Sequence, residues 1–392
     1  MDVVCHIITK LELGGAQEVA LYAVSHLDRS KYRPVLIAGP GGLLTDDARR
    51  LSHVDVRILP ELGRSIRLVG DLAALVKLTT LLRRLRPTVV HTHSSKAGIL
   101  GRWAAWMAGV PVIVHTIHGY GITPAQPRWL QRLLVMIERF TGWITTHWIA
   151  VSQADIRKGR SWGLFHDNVV LVRPGIDPQP FQRAVDRGER ERIRREFGAQ
   201  ATTQLVGSVA CFKPQKAPED FIAVAHRVMT ARPDVRFVLV GDGELRPRVE
   251  ALIARYGIQD RVHLAGWRRD VPAIMHVLDT FLLTSHWEGL PRVLLEARAV
   301  GVPVVATNVG GADEVIVDQA VGELCQAGDI QGLADAVIRR LSRETESSDV
   351  CLAKSSRLPQ EFYIDETVRQ YEQIYERLLT EHRTGVVAQT VL

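Results

Sequence analysis

The most informative segment of the chain is TFLLTSHWEGLPRVLLE, residues 280–296. Its beginning, 280–284, is an apolar run of the kind found in strands that are covered on both faces. A loop with Glu288 and Gly289 follows, and a stretch with helical spacing then runs from Pro291 past Glu296. Proline is favoured in the first helical turn, and glycine lets a backbone approach a ligand closely. The segment therefore predicts a strand, a ligand-binding loop and a helix.

The same alternation of apolar runs and amphipathic stretches extends over the rest of the chain, which predicts βα units on parallel sheets. The predicted strands are 3–8, 34–38, 88–92, 110–115, 148–152, 169–173, 205–210, 236–240, 262–265, 280–284 and 302–306. Two series separated by a charge-dense segment predict an α/β protein with two doubly wound, Rossmann-like domains.

The length of 392 residues also favours two domains, because a single core stops growing at roughly 250 to 300 residues. We expect a first domain at 1–185, a linker at 186–204, a second domain at 205–355, a C-terminal helix at 356–382 and a flexible tail at 383–392. The helix has one apolar face, formed by Val368, Tyr371, Tyr375 and Leu378.

Composition restricts the class of protein. Four scattered cysteines form no metal-binding or disulfide pattern, and the apolar run 3–8 is too short for a signal peptide. No run reaches the length of about 18 apolar residues that a membrane span needs. A net charge of +6 suits an anionic partner. We expect a cytoplasmic protein, peripheral on the inner face of the plasma membrane.

Ligands of open parallel sheets bind outside the carboxyl ends of the strands, so the loops there hold the candidate site. Glu288 and Glu296 are two helical turns apart and can grip two ends of an extended ligand; alternatively, they are a capping carboxylate and a solvated helix residue. The amides of Gly289, Leu290 and Pro291, at a helix N-terminus, suit a diphosphate.

Lysines follow the first strand of the second domain. Lys213 and Lys216 can stabilise the charge that develops on a leaving phosphate, although both are equally typical of a protein surface. In the first domain, polar or flexible residues follow three predicted strands and are candidates for ligand contact or for structural roles: Gly14, Gly15, His91, His93, Lys96 and His118. The GxGxxG fingerprint is missing, which disfavours a nicotinamide oxidoreductase.

Short motifs follow one another in a fixed order over nearly the whole chain. They are Leu13-Gly14-Gly15-Ala16, His115-Thr116-Ile117-His118-Gly119, Ile149-Ala150-Val151-Ser152, Pro174-Gly175-Ile176-Asp177, Val240-Gly241-Asp242-Gly243, Glu288-Gly289-Leu290-Pro291 with Glu296, and Val309-Gly310-Gly311. The order of the motifs is more specific than any one of them. Taken together, they resemble the retaining glycosyltransferases of family 4, in particular those of cell-envelope and exopolysaccharide synthesis.

The family implies the GT-B fold, with two facing domains and a C-terminal helix that crosses back onto the first domain. It also implies roles for particular residues. Glu288 would contact donor-sugar hydroxyls, Glu296 the ribose and Lys216 the diphosphate, with the amides of 289–291 beside the phosphates or the sugar. Gly14 and Gly15 would approach the diphosphate, and His118 would face the reacting sugar. The implied catalytic residues are His118, Glu288 and Lys216, and the implied reaction retains the anomeric configuration without a nucleophilic side chain, metal or cofactor.

Two positions depart from the family pattern. Cys211 stands five residues before Lys216, where the family usually has an arginine, and we hypothesise that Lys213 compensates for the missing cation. Thr146 stands where an aspartate is frequent. Neither departure affects the two glutamates.

The acceptor is predicted from the resemblance as a lipid-linked or cell-envelope glycan, with His93 and Lys96 on the acceptor side. Two basic, apolar stretches, 70–86 and 129–139, can lie on an anionic membrane or can bury their apolar faces against the first sheet. The expected donor is a UDP-sugar, with GDP as second choice, and no nucleic acid partner is expected. The alternatives are a nucleotide-sugar epimerase of the same fold and a non-enzymatic basic module for membranes or nucleic acid.

Overall fold

The computed structural model describes residues 1–63, 65–123, 125–165, 167–342 and 358–385. The chain divides into two compact units, the first comprising Met1–Gly175 and Ile364–Leu392 and the second Ile176–Tyr363. In the described residues each unit holds one sheet, and every strand pairing in both sheets is parallel. Parallel sheets are covered by helices on both faces, which explains the long apolar runs of the sequence.

The first unit has a seven-stranded sheet in the order β3-β2-β1-β4-β5-β6-β7. Its strands are β1 Asp2–Ile8, β2 Tyr32–Ala38, β3 Asp55–Ile58, β4 Val89–His93, β5 Val112–Ile117, β6 His147–Ala150 and β7 Val169–Leu171. Its helices are α1 Gly15–His26, α2 Thr45–Arg49, α3 Leu68–Leu85, α4 Ser95–Met107, α5 Arg128–Gly142 and α6 Gln153–Ser161, together with α15 at Ile364–Thr384.

The second unit has a six-stranded sheet in the order β10-β9-β8-β11-β12-β13. Its strands are β8 Gln204–Val209, β9 Val235–Val240, β10 Val262–Gly266, β11 Thr280–Leu283, β12 Val304–Thr307 and β13 Gly322–Cys325. Its helices are α7 Gln179–Gln182, α8 Arg187–Glu196, α9 Pro218–Ala231, α10 Arg246–Tyr256, α11 Val271–Met275, α12 Arg292–Val300, α13 Ala312–Val315 and α14 Ile330–Ser342. Short 3₁₀ turns lie at Pro214–Lys216 and Gln360–Phe362.

The C-terminal helix α15 packs on the first unit. Its predicted apolar face, Val368, Tyr371, Tyr375 and Leu378, is buried in one core cluster with residues of α1, β1 and β5. The expected fold is thereby confirmed: two doubly wound parallel sheets, with the last helix returned to the first of them. None of the helices in the described residues combines the length and the apolar character that crossing a membrane demands.

The sequence missed two strands and placed one boundary differently. Both missed strands, β3 and β13, are four-residue strands at a sheet edge, where one side is open and no continuous apolar run is needed. The segment 186–204, expected as a linker, carries α8 and lies inside the second unit. An Asp186 cap on the Glu189 amide and a buried Ile193 stabilise this otherwise charged helix. In the expected flexible tail at 383–392, residues 383 and 384 belong to α15 and residue 385 follows its end. Residues 386–392 lie outside the described residues.

Candidate functional site

In the second unit the strand order reverses between β8 and β11. The loops after these two strands leave towards opposite faces, which opens a crevice at their carboxyl ends. Lys216 lies in the loop after β8 and Glu288 in the loop after β11, and the two strands are hydrogen-bonded neighbours. The topology thus brings together two predicted site residues that are 72 positions apart in the sequence.

A charge-assisted hydrogen bond joins these residues. Lys216 Nζ donates to Glu288 Oε1 at 2.5 Å, and Gln215 Nε2 donates to Glu288 Oε2 at 3.2 Å. The Glu288 side chain is 6% exposed and that of Lys216 is 24% exposed. A carboxylate this far from solvent needs a nearby cation and further donors. In the crevice, the Lys216 ammonium group therefore balances the charge of the Glu288 carboxylate.

Backbone contacts fix the geometry of the two loops. His286 N donates to Gln215 O at 2.8 Å, and Gln215 Nε2 also donates to Trp287 O at 3.0 Å. The Thr284 hydroxyl donates to Ala217 O at 3.1 Å, where the backbone takes the left-handed conformation that starts α9. The loop after β8 is consequently tied at three points to the loop after β11.

The loop of the Val309-Gly310-Gly311 motif follows β12 and forms a third wall. Gly311 N donates to Gly289 O at 2.6 Å. Gly310 has φ +58°, and a Cβ there would lie 2.3 Å from Gly289 O. Only glycine permits this approach without displacing the backbone beside Glu288.

The remaining predicted residues of the second unit lie around this crevice. Leu290 is buried, Pro291 is the N-cap of α12, and Glu296 is partly exposed on that helix. Lys213 N donates to Cys211 O at 2.7 Å in the loop after β8. The roles of Lys213 and Glu296 stay predictions.

The first unit has its own strand reversal, between β1 and β4. Gly14 is the N-cap of α1, and its extended backbone, with φ 176°, is open to any residue. A Cβ at this position would lie 2.9 Å from Gln17 Oε1, and the approach of Gly14 to the diphosphate that the resemblance implies stays a prediction. Lys96 Nζ pairs with Asp71 Oδ1 at 2.5 Å, which ties the start of α4 to α3.

Six residues of the first unit form one continuous line of hydrogen bonds, which we call the histidine chain. The links measure 2.5 to 3.2 Å, and the order is Thr116, His91, Tyr375, His6, His93, His118. His93, expected on the acceptor side, is fully buried, so the structure places it behind His118 instead of at a surface. Burial lowers the pKa of His6 to about 3, and it also holds the pKa values of His91 and His93 well below the ordinary range. These rings are neutral at pH 7.

Among the six ring nitrogens of His6, His91 and His93, one from each residue lies within 4.8 Å of the other two, a spacing that a metal site requires. All six of these nitrogens already take part in the hydrogen bonds of the histidine chain. The geometry therefore favours a hydrogen-bonded chain over a set of metal ligands.

Neither His6 nor Tyr375 was predicted from the sequence as a residue of the site. His6 lies in an apolar strand, opposite His91 in the β1–β4 register, and His91 and His93 share one face of β4. Polar residues at matching positions of neighbouring buried strands were the available signal. Tyr375 is 369 positions from His6, and only the return of α15 brings them together.

Two family profiles cover most of the chain. Residues 14–175 match "Glycosyl transferase 4-like domain", and residues 189–355 match "Glycosyl transferases group 1". The chain is 32% identical over 345 residues to the UDP-Gal:alpha-D-GlcNAc-diphosphoundecaprenol alpha-1,3-galactosyltransferase of Escherichia coli, covering 86% of this chain and 87% of that protein. It is 28% identical to the N-acetyl-alpha-D-glucosaminyl L-malate synthase of Bacillus anthracis, covering 81% and 82% of the two chains.

Among solved structures, the chain is similar to Anabaena HepE in complex with UDP and glucose. The TM-score is 0.81 at 21% identity, and the match covers 96% of this chain and 100% of that one. At this identity the likeness demonstrates a shared fold, and the expected GT-B fold is confirmed.

Proposed function

Because the chain belongs to the group 1 glycosyl transferases, we propose that it moves a hexose or N-acetylhexosamine from a UDP-sugar to a lipid-linked or cell-envelope glycan, with retention. The observation that carries this proposal is the Lys216–Glu288 pair at the strand reversal of the second unit. It sets a cation and a hydroxyl-accepting carboxylate side by side, as an extended, anionic polyol requires.

In the proposed reaction, the bond between the anomeric carbon and the diphosphate oxygen breaks, and a bond to the acceptor oxygen forms on the same face. The proton of the acceptor hydroxyl passes to the leaving diphosphate. Lys216 stabilises the charge that develops on that diphosphate, which is the main electrostatic demand of the step. Glu288 accepts hydrogen bonds from sugar hydroxyls and so orients the anomeric carbon.

The amides of Gly289 to Pro291 precede α12, where the helix dipole favours a phosphate. Glu296 is proposed for the ribose and Lys213 as a second cation. His118 in the first unit is retained, from the resemblance, as the contact to the reacting sugar.

The choice of UDP and of a lipid-linked acceptor is supported by the relatives. The Escherichia coli galactosyltransferase is named for a UDP-sugar donor and a diphosphoundecaprenol acceptor, and HepE was solved with UDP. A diphosphate-linked lipid acceptor also fits the excess of basic residues in the chain.

A surface of the first unit suits contact with such a lipid. Helix α5 and its C-cap residue expose a line of large apolar side chains at spacings of three and four residues: Trp129, Leu133, Met136, Phe140 and Trp143. Arg128, Arg132 and Arg139 line the adjoining groove, which has a volume of about 690 Å³. Of the two uses predicted for this stretch, the exposed face favours the membrane. Helix α3 serves both uses: it buries Leu78 and Leu82 in the core and exposes Leu72 and Val76. We propose that α5 rests on an anionic membrane.

The proposal is tested by incubating the protein with UDP-galactose, UDP-glucose, UDP-N-acetylglucosamine or GDP-mannose, with and without a synthetic α-GlcNAc-diphosphate-lipid. Release of nucleoside diphosphate that requires the acceptor, and an α-linked product by NMR, are the expected results. Conversion of the donor sugar without an acceptor would identify an epimerase instead. An inverted linkage would contradict retention.

A further inference from the structure

The histidine chain begins at the buried hydroxyl of Thr116 and ends at His118, the residue proposed to meet the donor sugar. We propose that this chain fixes the tautomer of His118, so that its proton lies on Nδ1 and its Nε2 accepts. The inference deepens the proposed function, because it makes His118 a hydrogen-bond donor towards the substrate. Tyr375, His6 and His93 then act as positioning residues.

Proton donation along the histidine chain can run in only two directions. Each neutral imidazole carries one proton and one lone pair, and each hydroxyl has one proton to donate. His93 meets His118 through Nδ1 and meets His6 through Nε2, so donating on one side forces accepting on the other. The same holds for His6 and for His91. One link therefore sets the direction of all the others.

The inner end of the histidine chain selects the direction. The fully buried Thr116 hydroxyl meets His91 Nε2 at 2.6 Å. If donation runs outward, Thr116 donates to His91. The proton of this buried hydroxyl then has an acceptor.

Inward donation meets an obstacle at the same place. His91 would donate to Thr116, and the Thr116 hydroxyl proton would have no acceptor among the side-chain hydrogen bonds found in the described residues. The Thr116 side chain is fully buried, and a buried donor without an acceptor is costly. Outward donation is therefore favoured.

With this direction, each member of the histidine chain donates to the next one towards His118. His91 donates from Nδ1 to the Tyr375 hydroxyl, and that hydroxyl donates to His6 Nε2. His6 Nδ1 donates to His93 Nε2, and His93 Nδ1 donates to His118 Nε2. All four histidines thus carry their proton on Nδ1. With Nε2 engaged by His93, His118 offers an N–H at Nδ1 and cannot serve there as a base.

The rings behind His118 are neutral. Burial is the largest cause of the low pKa of His6, His91 and His93, so these rings pass no positive charge to His118 at neutral pH. Instead, they determine which ring nitrogen of His118 carries the proton. In hydrolases that rely on a catalytic histidine, a wrong tautomer can cost up to about 10⁴-fold in kcat.

Tyr375→Phe tests the chain, because it removes the one hydroxyl that joins His6 to His91 and keeps the aromatic ring. Tyr32→Phe is the matched control: the Tyr32 ring lies edge-on to Tyr375 at 6.1 Å, and its hydroxyl donates to the backbone oxygen of Glu372, outside the histidine chain. Thr116→Val, which removes the hydroxyl that meets His91, is a second variant if Tyr375→Phe does not fold.

The first readout is long-range ¹H–¹⁵N NMR of histidine-labelled protein, with His118→Asn used to assign the His118 signals. We expect Nδ1 protonation at His6, His91, His93 and His118 in the wild type and in Tyr32→Phe. In Tyr375→Phe, we expect the His118 signals to report a mixture of tautomers. Nε2 protonation of His118 in the wild type would overturn the assigned direction, and an unchanged His118 in Tyr375→Phe and Thr116→Val would overturn the positioning role.

The second readout is steady-state kinetics. Tyr375→Phe is expected to lower kcat about 10- to 100-fold with the donor KM within about twofold, because ground-state binding does not depend on the chain. Equal losses in Tyr32→Phe would assign the effect to packing and overturn the inference. The NMR readout needs no substrate, so failure of the proposed reaction leaves the test of the chain intact.

Discussion

The Lys216–Glu288 pair makes a prediction whose size can be estimated from the structure. At 2.5 Å and an effective dielectric constant of about 20, the attraction between the two charges is about 7 kcal/mol. Desolvation of the nearly buried carboxylate offsets much of it. Lys216→Met leaves that carboxylate without its cation, so we expect the local free energy of unfolding to fall by about 2 to 4 kcal/mol. Glu288→Gln leaves a neutral group of the same shape and should cost less, about 1 to 2 kcal/mol.

The double variant Lys216→Met/Glu288→Gln separates the pair from the contributions of its members. Since neither charge is then buried alone, we expect it to recover about 2 kcal/mol relative to the sum of the single variants. Hydrogen exchange of peptides that cover residues 280–300, followed by mass spectrometry, measures this opening free energy locally. Simple additivity of the single effects would refute the coupling that the contact implies.

The two single variants separate the two proposed roles. Lys216→Met should weaken binding of UDP about 10- to 100-fold, because a charge-assisted contact to phosphate is lost. Glu288→Gln should leave UDP binding unchanged or slightly tighter, since it frees the lysine, while kcat with the UDP-sugar falls by at least about 100-fold. Titration calorimetry with UDP and a turnover assay give both numbers. The role of Lys216 is refuted if UDP binding stays within twofold of the wild type.

Three further predictions concern the loop, acid stability and the membrane. Gly310→Ala should abolish UDP binding by pushing Gly289 outward, whereas Gly328→Ala, also at positive φ but with open space around it, should cost only about 1 to 2 kcal/mol in a thermal unfolding assay and leave UDP binding intact. Burial lowers the pKa values of five histidines of the first unit: His6, His91, His93, His115 and His147. In the unfolded chain these histidines bind protons as pH falls below about 6.5, whereas in the folded chain they stay neutral to lower pH. The stability that they contribute is therefore complete above about pH 6.5 and is lost as pH falls, down to about 3 for His6. Hydrogen exchange corrected for pH should show opening of the first unit steepening by up to about 1.4 kcal/mol per pH unit for each histidine, and a first unit no more acid-sensitive than the second would contradict this. Trp143→Ser, at an 83% exposed position, should reduce flotation with anionic liposomes about tenfold, whereas the control Trp267→Ser, 43% exposed in the second unit, should not; equal behaviour of the two variants would count against the α5 surface.

The sequence predicted the parts of the fold that have a strong one-dimensional signal. Strands at the centre of each sheet are covered on both faces and read as apolar runs, so β1, β8 and β11 were placed within one or two residues. Helix α15 was found from the spacing of its apolar residues. The edge strands β3 and β13 give no such signal, and a helix as charged as α8 looks like a linker until its cap and its single buried isoleucine are seen.

The candidate site divides along the same line. Glu288 and Gly289 stand in one local motif, and a short segment was enough to single them out. The partner of Glu288 is a different matter, because the contact with Lys216 exists only where β8 and β11 become neighbours. His93 illustrates the opposite error: its position after a strand suggested an acceptor contact, and the side chain proved to be fully buried. A residue at the end of a parallel strand is predicted to lie at the carboxyl edge of the sheet, whereas the direction of its side chain depends on what packs against it.

The returned helix gives Tyr375 of α15 a physical reason to be a tyrosine. Phenylalanine would fill the same space in this apolar cluster without a buried hydroxyl to satisfy. Tyr371 and Tyr375 are four residues apart and so project from the same helix face, where the Tyr371 ring lies edge-on to His91 at 4.9 Å and the Tyr375 hydroxyl joins His91 to His6. The Tyr375 hydroxyl is therefore satisfied by the histidine chain, and that chain would lack its central link without it. The helix thus contributes hydrogen bonds to the interior behind His118 as well as apolar cover, which is why the proposed tautomer of His118 depends on a segment that lies more than 240 positions further along the chain.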